Sequence, residues 1–117
     1  MLLRISNLGF LEQSLAISGI KMQIVGHDAM LLRGRDGTDQ MYFTNTIAIE
    51  TGESIDAIFT APEHSTGTGS APDRYLLYNT QPSRVTNAGY QGYGGQMTEI
   101  WVYPSNYNLP AQENPNE

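Results

Sequence analysis

The chain is cut into short apolar runs by Gly, Pro, Asn, Thr and Ser, and no run carries the spacing of a packed helix. Runs of about four to eight residues that alternate apolar and polar side chains bury one face of a strand. Residues 2–7, LLRISN, set Leu3 and Ile5 against Arg4 and Ser6. Asn7-Leu8-Gly9 reads as a turn, and residues 10–17 as a second strand ended by Ser18-Gly19. Met22 and Ile24 alternate with Gln23 and Val25 in a third, and Gly26-His27-Asp28 turns the chain into residues 29–33. Residues 34–39 form a polar loop with an Asp36-Gly37 turn signal. Residues 43–50 read as a single strand, with Ile47 and Ile49 on one face and Thr44, Thr46 and Ala48 on the other. Residues 53–62 follow as the strand expected to be best buried, stopped by Pro62. Residues 63–74 are loop, 75–79 strand, 80–97 turn-rich, and 98–104 the closing strand. There is no amphipathic helix and no fixed-period repeat.

About seven or eight strands in a chain of 117 residues make one all-β domain, a Greek-key β-sandwich. The pattern leaves immunoglobulin-like, cupredoxin-like and jelly-roll arrangements open. The net charge of −6, with only six scattered Lys and Arg, argues against a nucleic-acid backbone or an anionic membrane surface as partner. No apolar stretch approaches the length of a membrane span. The opening residues, MLLRISN, lack the basic and apolar regions of a signal peptide. The chain opens inside a strand, so we expect it to be a piece of a longer protein.

Several segments in fixed order resemble the multicopper oxidases. LLRISNLG, residues 2–9, is similar to the strand this family writes as a leucine-rich run, Arg, an apolar residue and Asn. LAISGIKMQIVGHDAMLL, residues 15–32, resembles its next strands. TNTIAIETGESIDAIFTAP, residues 44–62, is similar to its strand, Gly-Glu turn and Asp-bearing strand, with Gly52, Glu53 and Asp56 in place. DRYLLYN and GYGGQMTEIWVYP resemble its Tyr-rich strand, Gly-Gly-Met element and closing strand.

The resemblance spans residues 2–104. It implies the cupredoxin-like middle domain of a laccase-like or manganese-oxidase-like enzyme, residues 1–104, followed by a polar linker or tail, residues 105–117. It implies no copper ligand in this chain, copper in the parent enzyme, and neighbouring cupredoxin domains as partners. It places the parent in the periplasm or outside the cell. The chain alone is expected to have no oxidase activity. The family's middle domain has one more strand before the LLR strand, so an open sheet edge is expected here, on which a second copy can pair. The rival reading is a non-catalytic binding module for carbohydrate or protein, drawn from the Tyr-rich second half.

No catalytic, cofactor-binding or metal residue is assigned. Blue copper needs a Cys thiolate beside two His, and this chain has two His and no Cys. His27 beside Asp28 is a possible ligand and orienting partner, but a turn residue and its cap is the plainer reading. His64, in a Gly/Ser/Thr loop, reads as a solvent-facing His. Met1, Met22, Met30, Met41 and Met97 lack the close spacing of a thioether copper site and read as gap fillers. Glu50, Glu53 and Asp56 look like a group of paired acids, but Glu53 and Asp56 are three apart and fall on opposite faces of a strand. Gly89 to Gly95 is Gly-rich, yet a strand follows where a phosphate cradle needs a helix. Tyr75, Tyr78, Tyr90, Tyr93, Trp101, Tyr103 and Tyr107 read as core and sheet-face packing before they read as a binding face.

Overall fold

Period-two alternation turns one side of each apolar run inward, and the inward sides meet between two antiparallel sheets. The structure, a computed structural model, describes residues 1–65, 70–92 and 94–109. The strands are β1 (Leu2–Ser6), β2 (Gln13–Ile17), β3 (Met22–His27), β4 (Met30–Leu31), β5 (Tyr42–Thr44), β6 (Thr46–Ile49), β7 (Ser54–Ile58), β8 (Asp73–Asn79) and β9 (Met97–Val102), with one helical turn, α1 (Pro82–Val85). The first sheet runs β1-β7-β3-β4, with β5 also paired to β3, and the second runs β6-β2-β8-β9. The chain changes sheet at β1–β2, β2–β3, β5–β6, β6–β7 and β7–β8, the Greek-key order expected from the sequence.

Met22, Ile24, Ile55 and Ala57 from the first sheet pack against Ile17, Ile47 and Ile49 from the second, with Phe59 beside them. Each large side chain so buried contributes about 1.5–3 kcal/mol relative to exposure. β7 turns Ile55 and Ala57 inward and Ile58 outward, but the best buried strand is β3 and not β7 as expected, because Met22, Ile24, Val25 and Gly26 are all buried at the centre of the first sheet. A bulge between Ile24 and Gly26 lets Ile24 and its neighbour Val25 both be buried.

Three further local readings differ from the structure. The run 43–50 is two strands in different sheets, because the chain crosses the sandwich at Asn45. Thr44 holds the corner: its Oγ1 donates to the Thr46 carbonyl (2.8 Å) and accepts from the Thr46 amide (3.2 Å). Phe10 and Leu11, expected in a strand, are 98% and 61% exposed. Asn7 draws them into a loop by binding the Leu11 carbonyl through Nδ2 (2.9 Å) and the Gly9 amide through Oδ1 (3.0 Å). Within the turn-rich stretch 80–97, Pro82 starts a helical turn of four residues, its fixed φ suiting the first helical position.

Candidate functional site

The expected open edge is present. β1 pairs with β7 from Leu2↔Ile58 to Ser6↔Ser54, and its other side has no strand among the described residues. Between this edge and β9 the two sheets part into a cleft of about 400 Å³. Its floor is apolar, with Ile5, Leu15, Ile49 and Leu77, while Ser6, Asn7, Gln13, Gln96 and Thr98 form a polar rim.

Buried polar groups brace that rim. Asn79, 1% exposed, donates through Nδ2 to Gln13 Oε1 (2.9 Å) and Gln96 Oε1 (2.7 Å) and accepts the Gln81 amide (2.9 Å). Arg84 Nη1 reaches the same Gln13 oxygen at 3.0 Å. Asn7 also donates to the Ile49 carbonyl (3.1 Å), and its backbone bonds Glu53 and Gly52, tying β1 to the β6–β7 turn. Buried polar groups are tolerated because they are satisfied. In the sequence Asn7 stands out as a strand end, a turn residue and the Asn of the family-like segment, whereas Asn79, Gln13 and Gln96 carry no signal of this role. Long-range side-chain bonds leave no periodicity to read.

Gly95 belongs to this frame. Its amide donates to the Val85 carbonyl (3.1 Å), and a Cβ there would run into the Arg84 carbonyl. The Gly-Gly-Met element therefore packs backbone against backbone onto α1. Gly89 and Gly92 adopt positive φ in the preceding turns, and Tyr93 lies outside the described residues.

The outer face of the first sheet is apolar. Phe43, Gln23, Ile58 and Leu2 stand in one cross-strand row, and Leu31, Gly26, Asp56 and Arg4 in the next. Leu2, Leu31, Phe43 and Ile58 are all exposed. The charges in the second row cancel: Arg4 holds Asp56 through Nε–Oδ1 (2.8 Å) and Nη2–Oδ2 (3.2 Å). That hydrogen bond holds the Asp56 carboxyl below its ordinary range. Asp56 is thus an ion-pair partner, while Glu53 turns the other way.

Glu53 meets His27 and Asp28. His27 Nδ1 lies 3.3 Å from Asp28 Oδ2, and Nε2 lies 3.9 Å from Glu53 Oε2. Glu50 joins through its amide, which donates to Glu53 Oε2 at 2.8 Å. His64 is elsewhere: it follows β7 past Ile58, whereas His27 pairs with Ile55 near the start of that strand. Its Nε2 donates to the Ala71 carbonyl at 2.8 Å, bracing a loop of which residues 66–69 lie outside the described residues. Of the methionines, Met22 is fully buried in β3, Met1 and Met30 are exposed, Met41 accepts a bond from Gln23, and Met97 lies in the other sheet at the start of β9.

The aromatic surplus is largely occupied by itself. Arg74 sits 4.9 Å over the Trp101 ring, Trp101 tilts against Tyr103 at 6.2 Å, and Tyr103 stacks on Tyr107 at 4.3 Å. Tyr75 is half-buried against the core, and Tyr90 is exposed.

Blue copper does not fit these residues: there is no thiolate, and the two imidazoles lie toward opposite ends of the β3–β7 pair. No helix among the described residues is long and apolar enough to cross a membrane.

No family model and no curated protein matches the sequence. Solved structures do match. The multicopper oxidase mgLAC superposes with a TM-score of 0.67 at 20% identity over 96% of this chain and 29% of its own. The blue copper oxidase from Nitrosomonas europaea gives a TM-score of 0.67 at 22% identity over 85% of this chain and 26% of its own. A multicopper oxidase from Campylobacter jejuni, a metallo-oxidase, gives 0.55 at 17% identity over 92% and 20%. The chain therefore spans less than a third of these oxidases' lengths. Its fold is the cupredoxin-like sandwich found within them, and the resemblance read from the sequence extends to structure.

Proposed function

We propose that the chain is a copper-free structural domain of a multicopper oxidase, which spaces and orients copper-bearing neighbours. The observation that carries this is the coverage: the fold match takes in 96% of this chain but 29% of the oxidase chain, in a sequence without a single Cys. On this reading residues 1–104 are the domain and residues 105–117 a linker. The parent protein, periplasmic or secreted, oxidises a substrate at one copper and reduces dioxygen at a cluster in its other domains. Neighbouring cupredoxin domains cover the apolar outer face of the first sheet and the cleft beside β1. The exposed Leu2, Leu31, Phe43 and Ile58 suit such contact because their burial is favourable, while the Arg4–Asp56 pair, costly to take out of water, suits the rim of an interface.

The adjoining coding sequence tests the reading. His-x-His motifs and a His-Cys-His motif in the same reading frame are expected, and a frame without them overturns it. Copper added to the isolated chain should give neither an intense blue band nor oxidase turnover, and either one sinks the proposal. The free edge of β1 is equally open to a second copy. Sedimentation equilibrium should show self-association that a Pro at Arg4 abolishes, and a clean monomer at high concentration removes the dimer.

A further inference from the structure

We propose that His27, Asp28 and Glu53 form a binding site for a divalent first-row transition ion of the Zn²⁺ class. Two separate segments bring them together, the end of β3 with its turn and the start of β7. His27 pairs with Ile55, and Glu53 lies two residues before Ile55, so period-two geometry sets both on one face. Asp28 occupies the β3–β4 turn with φ +53, a left-handed conformation that Asp tolerates, and this swings its carboxylate back over the start of β7. There Oδ1 accepts the Ser54 amide at 2.9 Å, leaving Oδ2 facing His27.

One donor atom from each residue lies within 4.8 Å of the other two. Zn²⁺ binds N and O donors at about 2.0–2.2 Å, so it bridges donors up to roughly 4 Å apart, and a shift of about an ångström closes the site. The three side chains are 39%, 55% and 33% exposed, free enough for that shift and open to water as further ligands.

The charge also calls for a cation. Neither Asp28 nor Glu53 has a Lys or Arg ion-pair partner among the described residues, unlike Asp56, which Arg4 neutralises. Two carboxylates and one neutral imidazole match a dication. The imidazole selects Zn²⁺, Ni²⁺ or Cu²⁺ over Mg²⁺ and Ca²⁺, and the lack of thiolate disfavours Cu(I). This site is independent of the oxidase reading and lies outside any blue-copper pattern.

The test is calorimetric titration of the full chain with ZnCl₂, and ¹⁵N imidazole spectra before and after zinc. A single ion per chain should bind in the micromolar range, and the His27 ring signals should move while those of His64 stay. His27→Gln, Asp28→Asn and Glu53→Gln, each checked for folding by circular dichroism, should weaken binding by about tenfold or more. His64→Gln should bind as the parent does. Absence of saturable binding at sub-millimolar zinc overturns the proposal. So does binding that survives His27→Gln, or zinc-shifted His64 signals with His27 unmoved, a readout that holds even if a variant fails to fold.

Discussion

One flank of the sandwich is closed by the chain itself. β5 leaves the first sheet at Thr44, β6 enters the second at Thr46, and the crossing carries Ile47 and Ile49 straight into the core. On the opposite flank β1 and β9 are edge strands of different sheets, and between them lies the cleft of about 400 Å³. A covalent crossing closes a core at no cost in exposed apolar surface. An uncrossed flank must be closed by side chains or by another surface. Here Asn79, Gln13 and Gln96 brace its rim without covering its floor. The open flank is therefore where a neighbour completes the core, and the closed flank is where the domain stands alone.

Mutations on the two flanks should separate in size. Ile47→Ala, on the closed flank, removes a side chain that is 3% exposed and should cost about 3 kcal/mol in urea unfolding. Gly95→Ala comes next. It drives a Cβ into the Arg84 carbonyl and should cost about 2 kcal/mol, by overpacking rather than by loss of contact. Ile5→Ala, on the open flank, truncates a half-buried residue already facing the cleft and should cost about 1 kcal/mol. An Ile5→Ala cost equal to that of Ile47→Ala would mean that the open flank is packed as tightly as the closed one.

The same contrast explains how much was legible in the sequence. Alternation in LLRIS, MQIVG and SIDAI located strands and inward faces because burial on one side imposes period two. The crossing at Asn45 was hidden, since Ile47 and Ile49 keep the same alternation whichever sheet they enter, and only the Thr44 corner bonds mark the switch. Glu53 and Asp56 were placed on opposite faces by parity alone. That parity does not say that His27, 26 positions earlier, would arrive beside Glu53, because register across β3–β7 and the bulge at Val25 decide it. The hidden features are long-range pairings, which a local pattern cannot encode.

The smallest effect tests how β1, the strand bordering the open flank, is held. Arg4 ties β1 to β7 through Asp56, and the hydrogen bond lowers the Asp56 pKa in the folded chain. The unfolded chain therefore takes up that proton first as pH falls. The contribution is fully present above the ordinary Asp value of about 3.9 and is lost as pH drops through the lowered folded value. Arg4→Gln should lower the urea midpoint slightly at neutral pH, and the difference from the parent should shrink as pH falls below the ordinary Asp range. The effect is small because Arg4 is well exposed, with 69% of its side-chain area open, so solvent screens the pair. A midpoint difference that persists unchanged at acid pH would assign Arg4 to packing along the edge, through its aliphatic stem, and not to the ion pair.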